Sequence, residues 1–234
     1  MKSVVFSHKG KREINQDFVL VQNMNPETSL LLIADGMGGY NHGEIAAQLV
    51  AENILVYLST VKVIDQSPIQ KAVNKANLAI RQFKEKNKTS LGATVGGIIL
   101  QSNLATCFWV GDVKIYHFKK KKLVFESYSH TLINQLKENG SIVTDDRIDK
   151  YRHIVTRSIH GQLENSQISY QNFDNITEDD LFIICSDGVH DLLDGMQIQE
   201  HLSKLVSVEQ AVNEIEIYLQ KHASDNFSLI ALYQ

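Results

Sequence analysis

Cysteine and proline are nearly missing from this 234-residue chain, which has two of each. Cys107 and Cys185 each lie inside an apolar, strand-like run, where a thiol packs as a small hydrophobe, so no disulfide framework is expected. Pro26 and Pro68 leave no proline-rich linker, and no segment repeats at a fixed period or falls into low complexity. Long hydrophobic runs are lacking too. The longest aliphatic stretch, Leu30 to Ala34, is far below the roughly 18 apolar residues of a membrane span, and no basic start leads into an apolar export signal. Neither sign of charge dominates: 23 Lys and Arg against 27 Asp and Glu leave a formal charge of −4, too mild for the basic field of a nucleic-acid binder. The expectation is a cytoplasmic protein with neither membrane nor nucleic acid among its partners.

What is present is apolar: 43% of residues are hydrophobic and 21% charged, which suits one globular domain over 1–234 with a sizeable core. Runs rich in β-branched and apolar residues predict strands at Val4–Ser7, Phe18–Gln22, Leu30–Ala34, Thr94–Leu100, Thr106–Val110, Lys114–Phe118, Leu123–Glu126, Leu181–Cys185 and Phe227–Tyr233. Short turns between many of them favour antiparallel pairing. Ala47, Val50, Ala51, Ile54 and Leu58 share one helical face, and Ile69, Val73, Ala76, Ile80 and Phe83 share another, with Ser67 placed to cap and Pro68 at the first helical position. Further helices are predicted at Leu132–Asn139, stopped by Gly140, and at Val208–Lys221. This order is α+β and argues against a βαβ repeat. Residues 139–175 show little periodicity and read as a mobile surface excursion, either a plain connecting loop or a substrate-facing flap.

The chemistry lies in the placement of aspartates. Asp35 ends Leu-Leu-Leu-Ile-Ala, Asp112 follows Phe-Trp-Val-Gly, Asp187 follows Phe-Ile-Ile-Cys-Ser, Asp17 opens a strand, and Asp225 precedes the last one. One such Asp is an ordinary turn residue. Five at strand ends would repel one another at a shared rim unless a cation neutralised them. An all-oxygen donor set without a Cys or His cluster favours Mg²⁺ or Mn²⁺ over Zn²⁺. Gly92-Ala-Thr-Val-Gly96-Gly97 is not a dinucleotide fingerprint, and there is no phosphate-binding GxxxxGK[ST], GxSxG, HExxH or CxxC, which removes the usual nucleotide, serine-hydrolase, zinc-protease and thioredoxin readings.

In order along the chain, Arg12-Glu-Ile-Asn15-Gln16-Asp17, Ala34-Asp35-Gly36-Met37-Gly38-Gly39 with Gly43-Glu44, Leu91-Gly92-Ala93-Thr94, Val110-Gly111-Asp112, Ser186-Asp187-Gly188-Val-His-Asp191 and Ser224-Asp225-Asn226 resemble the motifs of the metal-dependent PPM, or type 2C, Ser/Thr protein phosphatases in their compact bacterial form. The resemblance runs from about Lys9 to the C-terminus. It implies a four-layer α/β/β/α sandwich, two antiparallel sheets flanked by helix pairs, with two core Mn²⁺ or Mg²⁺ ions and a weaker third. Carried over by position, Asp35 bridges both core metals, the Gly36 carbonyl binds the second, Asp187 and Asp225 hold the first, and Asp17 acts through bound water. Asp112 and Asp191, with Asp187 shared, match the third-metal ligands, and Arg12 matches the phosphate-binding arginine. Catalysis then falls on Arg12 and Asp35, by a metal-bridged water without a covalent intermediate.

The implied partners are phosphoprotein substrates and a bacterial Ser/Thr kinase with its targets, met by a monomer. A catalytically inactive binding module of the same fold and a phosphatase of small phosphoesters or of an anti-sigma-type regulator are the rival readings. For Arg12 an exposed salt bridge, and for Asp112 a turn cap, are the structural alternatives. The chain also departs from the family. Gln16 stands where many eukaryotic members carry glutamate, and Met37 replaces their proposed general-acid histidine. Gly111-Asp112-Val113-Lys114 replaces Gly-Asp-Ser-Arg, and Ser129-His130 replaces Asp-His. His42, near Met37 in sequence, reads as an exposed loop residue.

Overall fold

A computed structural model describes residues 2–37, 42–141 and 151–233. Gly38 and Gly39 of the glycine-rich motif, and residues 142–150 of the pattern-poor stretch, lie outside the described residues. Two five-stranded sheets face each other. The first contains β2 (Asp17–Asn25), β3 (Thr28–Gly36), β4 (Ala93–Gln101), β5 (Leu104–Val110) and β8 (Ser169–Phe173), in the order β2-β3-β4-β5-β8. The second contains β1 (Lys2–His8), β6 (Lys114–Lys119), β7 (Lys122–Glu126), β9 (Asp180–Cys185) and β10 (Phe227–Tyr233), in the order β1-β10-β9-β6-β7. Every neighbouring pair is antiparallel.

Composition follows depth. Central β4 is buried along nearly its whole length, whereas edge strand β7 alternates exposed and half-buried, the patterns expected of strands covered on two faces and on one. Leu31, Ile33, Ile98 and Cys107 of the first sheet meet Ile115, Phe182, Ile184 and Ile230 of the second in a core between the sheets. Helices α1 (Gly43–Leu58) and α2 (Gln66–Asn87) cover the outer face of the first sheet. Helices α5 (Gly195–Lys204) and α6 (Val208–His222) cover that of the second. The shorter α3 (Leu132–Glu138) and α4 (Asp187–His190) sit in connections. The expected α/β/β/α sandwich is therefore the observed one, and among the described residues no helix is long and apolar enough to cross a membrane.

All nine predicted strands are present. The tenth, β8, is a correction: Ser-Tyr-Gln-Asn-Phe is mostly exposed and only its ladder with β5 makes it a strand. Helix α5 is another addition, marked in sequence only by a capping box between Asp194 and Gln197. The cap of α2 is Asp65, whose side chain accepts from the Ser67 N–H, and not Ser67. Pro68 is thus the third helical residue, still in the first turn, where its missing N–H goes unused. From residue 151 on, the supposed surface excursion is anchored: Ile159 exchanges two backbone hydrogen bonds with Ala93 at 3.0 and 2.9 Å, and Ser158, Ile159, Ser166 and Ile168 are buried.

Candidate active site

Strand register builds the site. In the β2–β3 ladder Asp17 is opposite Asp35, and in β3–β4 Asp35 is opposite Thr94. Asp112 follows β5, Asp187 follows β9 and Asp225 precedes β10, so the aspartates come to one rim where the sheets open. There a cleft of about 260 Å³ is lined by Arg12, Asp35, Gly36, Asp112, Asp187 and Asp225, together with Met37, Thr94 and His153. Asp17 lies beneath it, buried, with Oδ2 accepting from the Ser186 hydroxyl at 2.7 Å. Asp191 stands at the edge, 3.6 Å from His153. His42 is exposed and does not line the cleft.

The segment before β2 is fastened to the segment before β10 by Asn226. Its side-chain amide donates to the carbonyls of Lys9 and Ile14 at 2.9 Å, and its Oδ1 accepts from the Gln16 N–H at 2.9 Å. Gly10, at φ 57°, passes so close to Asp225 that a Cβ would lie 2.0 Å from the Asp225 carbonyl oxygen; only glycine tolerates both the backbone angle and the approach. Arg12 is thereby delivered to Asp225, with Nε donating to Oδ1 at 2.9 Å and Nη2 to Oδ2 at 2.7 Å. An ion pair was one reading of Arg12, and its partner is a carboxylate of the cleft. Asp112 is buried in its turn, and the His190 Nε2–H donates to the Asp112 carbonyl at 2.8 Å.

The electrostatics are unfavourable for bare carboxylates. Burial, then the charges of Asp187, Asp17 and Asp225, pushes Asp35 well above the usual carboxylate range. Burial, then Asp225, Asp17 and Asp112, does the same to Asp187. Asp17 is raised to about 6 by burial, against the hydrogen bonds of Ser186 and Ser228. Its Oδ1 and the hydroxyl of Thr94 are buried without a hydrogen-bond partner. An orphaned carboxylate oxygen, mutually repelling acids and an all-oxygen donor set fit a hard divalent cation. Among the described residues no three His, Cys, Asp or Glu side chains are already gathered as a metal cage: Asp225 is engaged by Arg12 and Asp17 by Ser186.

His153, which reaches the cleft from the far side, was not found from sequence. It sits in the pattern-poor stretch, one of nine scattered histidines with no spacing to distinguish it.

Residues 6–222 match the profile of the family described as Protein phosphatase 2C. A putative protein phosphatase of Mycoplasma pneumoniae is 28% identical over 245 residues, covering 95% of this chain and 92% of that protein. The serine/threonine protein phosphatase PstP of Mycobacterium tuberculosis is 26% identical over 211 residues, covering 86% of this chain and only 39% of PstP. In structure the chain is similar to the M. tuberculosis phosphatase PstP/Ppp, with TM-score 0.83 and 23% identity over 98% of this chain and 97% of that one. The catalytic domain of PstP in complex with two manganese ions is similar with TM-score 0.80 and 22% identity, covering 98% of this chain and 96% of that one.

Proposed function

The chain belongs to the protein phosphatase 2C family, and from that premise we propose that its cleft hydrolyses phosphoserine and phosphothreonine in proteins. The observation that carries the reading is the convergence of Asp35, Asp112, Asp187 and Asp225 on the one cleft that Arg12 also lines. Mn²⁺ or Mg²⁺ is the cofactor. Asp35, Asp187, Asp225 and the Gly36 carbonyl are the residues that would hold two core ions, with Asp17 acting from beneath and Asp112 and Asp191 reserved for a weaker third. When bound, such ions neutralise the clustered carboxylates and lower the pKa of water to make a nucleophile near neutral pH.

The chain's own groups supply the rest. Arg12 offers a planar fork of donors matched to two phosphoryl oxygens, which offsets charge as it develops in the transition state. Asn226 holds the loop that aims it. Asp35, half-buried at the rim, is fixed by its place in the β2–β3–β4 ladder, so its carboxylate is held in position before substrate arrives. Met37 has no proton to give, so leaving-group protonation does not come from that position. In the cell we place the protein in the cytoplasm as a monomer opposing a Ser/Thr kinase on shared phosphoprotein targets.

Turnover of a phosphothreonine peptide by purified protein with Mn²⁺, abolished by chelator and restored by Mn²⁺, is the expected result. Peptide binding with no turnover at any Mn²⁺ concentration would establish the inactive-module reading instead. Preference for an aryl phosphate that the peptide cannot compete away would mark a small-phosphoester phosphatase.

A further inference from the structure

A second cavity shares the Gly111–Asp112 turn with the cleft. Asp112 lines the cleft, while His130, whose Nδ1 accepts the Gly111 N–H at 3.0 Å, lines a polar space of about 450 Å³ together with Ser129, Arg157 and Ser169. Accepting at Nδ1 puts the proton of the neutral ring on Nε2. That nitrogen is 2.9 Å from the Ser169 hydroxyl, to which it donates, and 3.3 Å from Arg157 Nη1. Arg157 therefore faces another donor and gains nothing from it. Among the described residues it pairs with no carboxylate. Burial, then the Arg157 charge, lowers the His130 pKa to about 4, so at neutral pH Arg157 is the cation of this cavity.

An independent observation points the same way. Ser129 lines the cavity and is 3% exposed, and its Oγ, itself closed off from solvent, has no hydrogen-bond partner. A buried hydroxyl left without a partner has lost its water and gained nothing in return. Ser129 also stands where the resembled phosphatases carry the Asp of Asp-His, so this chain lacks a carboxylate at that position. A guanidinium that pairs with no carboxylate among the described residues is complementary to oxygens that arrive from outside. The Ser169 hydroxyl, which accepts from His130, keeps its own proton free to donate. Arg157 and Ser169 thus offer donors from separate chain segments on one wall of the cavity. Glu138 and Glu164 also line the cavity but are exposed, where solvent screens them.

We propose that this cavity is a second phosphate-binding site, in which Arg157 and Ser169, brought together at His130 Nε2, hold the oxygens of a phosphate group, either free or carried on a protein side chain. Phosphate binding here needs no turnover and no metal. Trp109, the single tryptophan, reports on it: its ring stacks on His130 with centroids 6.3 Å apart, and its Nε1–H donates to the Tyr128 carbonyl at 2.9 Å.

The test is a titration of chelator-treated protein with inorganic phosphate, followed by Trp109 fluorescence and checked by calorimetry. Saturable binding is expected in wild type and in Arg12→Ala, which alters only the cleft. Arg157→Gln weakens it about tenfold or more, the scale of a lost charge-assisted contact. Ser129→Asp adds a carboxylate to the cavity that Arg157 lines and abolishes it. Circular dichroism verifies that each variant is folded, and should Arg157→Gln fail to fold, Ser129→Asp decides. No saturable binding, or binding lost in Arg12→Ala and kept in Ser129→Asp, overturns the proposal. A phosphothreonine peptide forms the second arm. Competition between peptide and phosphate, sensitive to Ser129→Asp, assigns a subsite for phosphorylated side chains, and binding of phosphate without the peptide assigns a site for the free ion.

Discussion

Arg12 and Asp225, 213 residues apart in sequence, form a two-point ion pair across the mouth of the cleft. Hydrogen bonding and then the charge of Asp225 raise the Arg12 pKa, with smaller contributions from Asp187 and Asp35. The guanidinium is thus the positive charge that the rim carboxylates share. Asp225 is also a proposed ligand of a core cation, so Arg12 and the cation compete for one carboxylate.

Arg12→Ala is accordingly expected to separate two quantities. Half-exposed ion pairs contribute ~0–1 kcal/mol, so calorimetry should find Mn²⁺ bound up to about fivefold more tightly. On a phosphothreonine peptide kcat/KM should fall by about 10 to 150-fold, as a charge-assisted contact to the phosphoryl group is lost. Weaker Mn²⁺ binding in a folded variant would show that Arg12 supports the cation site and does not compete for it.

The buried acids set a pH dependence for the chelated protein. Carboxyls whose folded pKa is raised bind more protons in the native state than in the unfolded chain between about pH 4 and their folded pKa, so stability falls as pH rises through that window. For Asp17 the window runs from about 4 to about 6, and for Asp35 and Asp187 it extends upward from the same start. Melting curves with chelator should therefore show Tm falling from pH 5 to 7, with the gain from Mn²⁺ widening over the same range. Asp35→Asn should raise the chelated Tm at pH 7, by about 2–4 °C per kcal/mol of relieved repulsion, while abolishing turnover at saturating Mn²⁺. A chelated Tm that climbs with pH would contradict the assigned repulsion.

Gly10 carries no functional group, yet it should be as sensitive as an active-site residue. Gly10→Ala must fit a Cβ within 2.0 Å of the Asp225 carbonyl oxygen at a positive φ. Strain of that kind costs about 1–3 kcal/mol, and it falls on the contact that aligns Arg12 with Asp225. The expected result is lower kcat/KM with little change in the Tm of the protein as a whole, because the 9–16 loop opens locally. Unchanged kcat/KM would show that the loop's position does not matter to the reaction.

Strand interiors were legible because β-branched and apolar runs are what a strand covered on both faces requires, as in β4, where the prediction Thr94–Leu100 became Ala93–Gln101. Edge strand β8 was not, since its exposed Tyr-Gln-Asn centre carries no hydrophobic signal. The rim aspartates could be read because each follows or precedes such a run. The Arg12–Asp225 pair, the Asn226 clasp and the approach of His153 are products of tertiary register between distant segments, for which local pattern holds no information. Ser129 is an intermediate case: its departure from the family was visible, but that it leaves a buried hydroxyl without a partner could be seen only in the fold.

Asp112 separates a full site from a bare dinuclear core. It is buried in the turn after Gly111, lines the cleft with Asp187, and has its carbonyl held by His190. The His190 ring also lies 3.8 Å from the Asp112 carboxylate, but its shorter contact is to the backbone carbonyl, which Asp112→Ala retains, so the variant should leave the turn and the fold in place. If the carboxylate serves only the weaker third ion, the variant keeps tight binding of the first two Mn²⁺ ions by calorimetry. Its turnover drops, and more free Mn²⁺ is needed for half-maximal rate, because an outer site with few protein ligands gains little against the ion's own water. Equal kcat and an unchanged Mn²⁺ dependence in the folded variant would leave Asp112 as a turn residue alone.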